Sequence, residues 1–498
     1  MLMQSPLQPS YQPRTDLPMP LDDGAIPAKD LYFALYQDAP AAGAIEGARA
    51  YLDAQLAAAR GLPHDLPAYP ADVAAWIEQR TMAIGEQYRA YLAGRKNGKP
   101  RLYFSNKSHA LYFLKSVAPT KLVDGSWLYG AVSRWADADF RPLIKIYLEE
   151  LGEGHPDKNH VLIYKKLLAT HGCEHWETLD DTHFVQGAIQ LSLASDAGQF
   201  LPEVIGFNLG YEQLPLHLLI SAYELNELGI DPYYFTLHIT VDNAANGHAL
   251  DAMAGLQGLM PRVGDAEAFY RRVIDGYRLN DLGASTTSVI AEFDLDDELA
   301  DILAAKSVIG KNMHSDYCRI EGRTVNEWLS DPGQIPAFLR SLENKGWIKR
   351  GQTAEDSRFW NLIHGDHAEM FGVFNAYEQQ ILRDWIESAP DAAAAPAAGA
   401  AASLPRVLSH RARQRALNLP AAQSDRPNGQ RGVLRRHSSN DDDTATGFGA
   451  ELRLLEERLA SSDSRQESMA MLTKLMAPSI HHTAVGLMAT RIFRQMLD

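Results

Sequence analysis

The sequence predicts an all-α protein, and three observations carry that expectation. Apolar residues recur at helical spacing through Ala44 to Arg60 and Asp72 to Leu92. Those runs are rich in Ala, Leu, Glu and Gln, side chains that lose little freedom in a helix. Alternating Val, Ile and Thr bounded by turn pairs, the mark of strands, is scarce along the chain.

Taken in order, residues 1–27 are rich in Pro and Gln without periodicity and read as a disordered arm. Residues 28–290 read as a helical bundle, an architecture that gathers ligands from facing helices into a dry core. Residues 291–388 read as a helical extension. Here Ile290 to Leu303 is an acidic amphipathic run, Val325 to Trp347 suggests two helices with a turn at Asn344-Lys345-Gly346, and Arg350 to Trp385 is aromatic-rich and helical. Residues 389–447 begin PDAAAAPAAGAAA, pass through an arginine-rich stretch from Arg406 to Arg436 and reach SSNDDDTATG. Low complexity and charge blocks oppose a packed core there, so the segment reads as a solvated linker. Residues 448–498 carry two short helices, at Ala450 to Leu459 and Arg465 to Met476. An amphipathic tail with His481 and His482 follows and is expected to dock back on the main body.

Composition narrows the function. Against 47 basic residues stand 63 acidic ones, and the formal charge of −16 argues against broad binding to nucleic acid or an anionic membrane. Only Cys173 and Cys318 occur, too few for a disulfide framework. The opening MLMQSPLQPSYQPRTDLPMP has neither the basic start nor the apolar centre of a signal peptide, and no apolar run suggests a membrane span. A soluble protein in a reducing cytoplasm is expected.

The chemistry concentrates in Tyr233 to Ala249, YYFTLHITVDNAANGHA. His238 and Asp242 stand at i and i+4, on one face of a helix, and His248 follows, with no Lys or Arg to neutralise the acid. Two imidazoles and a carboxylate from one segment read as half of a metal site that needs acids from elsewhere. Upstream, Glu149 and Glu150 precede His160 across a bend at Gly152 and Gly154, and Glu212 stands among apolar residues. A lone buried acid costs several kcal/mol, so convergence on a cation is the simplest account. Glu203 and Glu224 lie in surroundings comparable to those of Glu212 and compete with it.

The order of these residues resembles the haem-oxygenase-like diiron oxidases, the iron-containing redox enzyme family, over roughly Phe104 to Leu256. The resemblance implies a haem-oxygenase-like bundle whose metal ligands are Glu150 and His160, then Glu212, then His238, Asp242 and His248. It also implies two ferrous ions per chain, O₂ as co-substrate and an electron donor. The substrate it implies is a small amine, amino acid or carboxylic acid, open to N-oxygenation, desaturation or carbon–carbon cleavage. No catalytic residue beyond the ligands is assigned, and a homodimer is left open. One departure is visible, because the family's last His follows the Asp by three residues, where this chain has Ala245. His248 is six residues on and about 120° round a regular helix, so the helix is expected to unwind near Asn243 to Gly247.

Two other readings stand beside this one. A haem-binding or haem-degrading protein of the same fold needs one axial His and no acid cluster, and a non-catalytic helical binding module needs neither. The run His171-Gly172-Cys173-Glu174-His175 superficially resembles a zinc loop, but its place after a helical run suits a surface turn better. No phosphate-cradling Gly loop, nucleophile elbow or HExxH motif occurs.

Overall fold

The computed structural model describes residues 26–241, 247–389 and 445–497. Almost all of the arm expected at 1–27 and of the linker expected at 389–447 lies outside them. Among the described residues the fold is helical, as the composition predicts. The one sheet is a two-residue antiparallel hairpin, Arg319–Ile320 against Arg323–Thr324, with Arg319 opposite Thr324. No described helix is long and apolar enough to cross a membrane.

The helices expected first are Ala42–Ala59 and Val73–Lys96. Beyond them the chain breaks more often than its periodicity suggests, and each break has a local cause. The run Ile290 to Leu303 divides into Thr286–Glu292 and Leu295–Gly310, because the Asp294 side chain accepts the amides of Asp296 and Asp297 and starts a new helix. Arg350 to Trp385 divides into Arg358–Ile363 and Ala376–Glu387, the second opened by an Asn375–Glu378 capping box. Val325–Leu329 and Ile335–Asn344 are the two helices expected before the Gly346 turn.

Apolar side chains collect in two clusters. One joins Tyr32, Leu52, Trp127, Leu143, Tyr147, Phe207 and Val273 and takes in Met469, Leu472 and Phe493 from the C-terminal helices. The other joins Phe104, Phe113, Tyr164, Leu225, Tyr234 and Phe235 to Ile302, Phe338, Trp360 and Trp385 of the extension. Helices of the central region therefore feed both. Helix Arg141–Glu150 belongs to the first cluster, whereas helix His160–His171 and helix Tyr233–Val241 belong to the second. The acidic and imidazole side chains of interest lie on the seam between them.

The C-terminal helices Arg465–Leu475 and Ala484–Leu497 lie against that seam. The Tyr147 hydroxyl donates to the Met476 carbonyl at 2.5 Å, Asn159 Nδ2 reaches His481 Nδ1 at 3.1 Å, and Arg491 Nε donates to the Gly154 carbonyl at 2.9 Å. An Arg494–Glu153 ion pair closes the same corner. The tail thus docks on the turn that joins the helices of Glu150 and His160.

Candidate metal centre

Local structure brings the acids and imidazoles in from separate elements. Glu150 is the last residue of helix Arg141–Glu150. Gly152, Glu153 and Gly154 then hold φ of 63°, 53° and 80°, a left-handed run that reverses the chain toward His160. Asn159 caps the next helix by accepting the Leu162 amide, which fixes His160 at its first position. Glu212 sits at the C-cap of Leu201–Tyr211, where the helix stops before Pro215. His238 lies on Tyr233–Val241, and His248 opens a separate helix, His248–Leu259.

Two groups of donors result. Asp124, Glu150, His160 and His238 each offer one ligand atom, all within 4.8 Å of one another, and so do Glu150, Glu212 and His248. All six residues are buried, from 0 % exposure at His248 to 6 % at His238. In the first group His160 Nδ1 lies 2.5 Å from Glu150 Oε2, and His238 Nε2 lies 3.0 Å from Asp124 Oδ2. In the second, His248 Nδ1 lies 2.9 Å from Glu212 Oε2 and 3.4 Å from Glu150 Oε1. Glu150 therefore turns one oxygen to each group, the arrangement a carboxylate adopts between two cations.

Proton counting tests whether a cation fits. His238 Nδ1 faces the Tyr234 carbonyl at 2.8 Å, which only an N–H can satisfy. A neutral imidazole has no second proton, so Nε2 presents a lone pair to the Asp124 carboxylate unless a proton or a metal ion stands between them. Asp124 Oδ1 is buried with no hydrogen-bond partner among the described residues. His248 repeats the pattern, with Nδ1 toward Glu212 and Glu150 and Nε2 2.9 Å from Glu149 Oε2. Mixed carboxylate and imidazole donors without a thiolate suit ferrous iron. Cys173 stands outside both groups, and burial pushes its thiol up to about 12.

The surroundings favour ionised acids. Burial alone would raise the Asp124 carboxyl, but the Lys121 charge, the His238 hydrogen bond and the charges of His238 and His160 hold it well below the usual range. The Tyr234 hydroxyl also donates to Asp124 Oδ2 at 2.6 Å, and its ring lies 4.6 Å from that of His238. Gly125 lets the chain beside Asp124 pack on Glu150: its φ is 76°, and a Cβ there would stand 2.8 Å from Glu150 Cβ.

Five of the six residues expected from the sequence, Glu150, His160, Glu212, His238 and His248, are brought together, while Asp242 lies outside the described residues. The rivals of Glu212 are engaged elsewhere. Glu203 takes Arg272 at 2.6 and 2.7 Å, and Glu224 accepts the Tyr91 hydroxyl at 2.6 Å and the amides of Tyr103 and Phe104. One acid, Asp124, escaped the sequence reading, and another was named there without a role. Glu149 was visible only as a neighbour of Glu150. Asp124 stands in KLVDGSW, where a lone acid before a Gly looks like an ordinary turn.

Residues 111–279 match the family model of the iron-containing redox enzymes. The match spans about a third of the chain and contains every residue of both groups. The resemblance drawn from the order of acids and histidines is thereby borne out, and with it the all-α, haem-oxygenase-like fold. The matched family is one of redox enzymes that contain iron, and the buried acid and histidine groups of this chain could hold a metal ion. No curated protein and no solved structure matches the chain.

Proposed function

We propose that the protein is a non-haem, O₂-dependent oxidase or oxygenase that works with two ferrous ions. Asp124, Glu150, His160 and His238 would hold one ion, and Glu150, Glu212 and His248 the other. The observation that carries the reading is the placement of Glu150, with one oxygen in each group. Asp242 completes the proposed ligand set on the strength of the sequence resemblance.

Ferrous iron held there would supply electrons to O₂, with the balance drawn from the substrate or an external donor. The chain's own part is positional. The Tyr234 carbonyl fixes the His238 tautomer so that Nε2 points at Asp124, and the Tyr234 hydroxyl orients that carboxylate. Glu149 holds His248 from its far nitrogen and is itself held down in pKa, against burial, by the His248 hydrogen bond and charge and by Lys145. The substrate is a small amine, amino acid or carboxylic acid, and the reaction an N-oxygenation, desaturation or carbon–carbon cleavage. Residues 28–290 form the metal-binding unit, with 291–388 as an extension and 448–498 as a tail tethered through 389–447.

Anaerobic ferrous titration tests the proposal. The expected result is uptake near two ions per chain in the wild type, about one in Asp124→Ala, and neither tightly held in Glu150→Ala, with a transient absorption when loaded protein meets O₂. Uptake indifferent to both substitutions, or stoichiometric haem binding without iron uptake, would overturn it.

A further inference from the structure

Polar side chains gather beside the proposed centre. Lys121 ends the short helix Ala118–Lys121, and its ammonium donates to the Tyr211 hydroxyl at 3.0 Å while lying 5.1 Å from the Tyr211 ring centre and 5.9 Å from that of Tyr234. The Lys121 charge also acts on Asp124 and on His217. Lys121, Tyr211 and His217 are each only partly buried, whereas their neighbours Leu122, Glu212 and Leu218 are buried. Partly exposed side chains thus border the buried Asp124.

Around Tyr211 lie buried polar groups with hydrogen-bonding capacity that the fold does not use. Gln190 is fully buried on helix Val185–Ser195, and neither its nitrogen nor its oxygen has a hydrogen bond among the described residues. Asn208, one turn before Glu212, gives its oxygen to Trp127 Nε1 at 2.8 Å and leaves Nδ2 without a partner among the described residues. Gln190 and Asp124 both lie close enough to influence the Tyr211 hydroxyl. Buried polar groups left unmade cost free energy that a ligand can return.

We infer that Lys121 anchors the carboxylate of an anionic substrate beside Tyr211, with Gln190 and Asn208 bonding the remainder of its polar end. This rests on the iron-centre reading above. The ammonium and the Asn208 and Gln190 amides make a donor-rich group. An amine substrate with no acid group would meet that ammonium as a like charge.

Calorimetric titration of the ferrous-loaded, anaerobic protein tests the inference. The probes are hexanoate and benzoate against their neutral amides, with iron content measured in every sample. The wild type is expected to bind the acids and not the amides. Lys121→Met is expected to lose about tenfold to a hundredfold in affinity for the acids with its iron retained, and Lys121→Arg to recover much of that loss. Gln190→Leu should weaken the same probes less. Equal binding of acid and amide, no binding of either acid by iron-loaded wild type, or acid binding unchanged in Lys121→Met would overturn the inference. A wild type that takes up no iron sinks the centre itself and this inference with it.

Discussion

Replacing Gly125 by Ala probes how the shared carboxylate is built. The new methyl would sit 2.8 Å from Glu150 Cβ and 2.9 Å from Cγ, at a backbone φ of 76°. The left-handed conformation costs an L residue about 1–2 kcal/mol, and overpacking adds about 1–3 kcal/mol, so roughly 2–5 kcal/mol is lost if the backbone holds. At about 2–4 °C per kcal/mol for domains of 150–250 residues, melting should fall by at least about 4 °C. Alternatively Glu150 moves aside, and both metal groups loosen by about tenfold to a hundredfold, because each takes one Glu150 oxygen. Gly98→Ala is the control, since Gly98 has φ of 84° and nothing within 4 Å of its added Cβ. Scanning calorimetry and ferrous titration of both variants separate the terms: Gly98→Ala should lose only the conformational part and keep its iron. If Gly125→Ala melts no lower than Gly98→Ala and binds as much iron as the wild type, the packing of Gly125 on Glu150 does not govern the centre.

The remaining predictions address other parts of the same architecture. Tyr234→Phe removes a buried hydroxyl that donates to Asp124 at 2.6 Å, and iron affinity in equilibrium dialysis should drop about tenfold to a hundredfold with helicity unchanged. Glu224→Gln leaves a fully buried neutral side chain among the amides of Tyr103 and Phe104 and should lower stability in urea by about 1–3 kcal/mol without affecting iron. Glu212→Gln should do the reverse, and similar losses of iron in both would show that the two acids are misassigned. His482 is pushed down to about 4 by burial and then by Lys165, whose ammonium lies 2.7 Å from its Nε2. The folded protein therefore binds fewer protons at His482 than the unfolded chain between its folded value of about 4 and the ordinary 6.5. Its contribution is fully present above the upper value and is lost as pH falls toward the lower one. Urea midpoints across that window should fall less steeply in His482→Gln than in wild type, and parallel slopes would refute the assignment.

How much of this was legible in the sequence depends on how each residue announces itself. His238 and His248 could be found because imidazoles in an apolar run need a reason, and Glu150 and His160 because a glycine bend between them forces the chain back. Glu212 could be named but not separated from Glu203 and Glu224. That separation rests on Arg272 and Tyr91, partners at sequence distances of 69 and 133 residues, which no local pattern reveals. Asp124 had no local signature, because its imidazole partner His238 is 114 residues away. Helices were legible as periodicity, but their breaks at Asp294 and Asn375 depended on capping side chains that a smooth apolar pattern hides.

The position of the centre follows from the way the core is divided. His160 and His238 come from helices packed in one apolar cluster, Glu150 and His248 from helices packed in the other, and Asp124 directly follows Leu122 of one and Val123 of the other. Buried acids on such a seam repel one another when nothing neutralises them, so without a cation they weaken the packing there. On the proposed reading, metal in the first group reverses that effect, because it would draw Glu150 from one side and His160 and His238 from the other, and its binding energy becomes cohesion between the clusters. An ion present at a hundred times its dissociation constant would add about 2.7 kcal/mol to the folded state. The tail crosses the same line, bonding Tyr147 of the first cluster through Met476 and Asn159, which caps the His160 helix, through His481. Tail docking and metal binding therefore hold the same seam closed, and weakening either should make stability depend more steeply on the other.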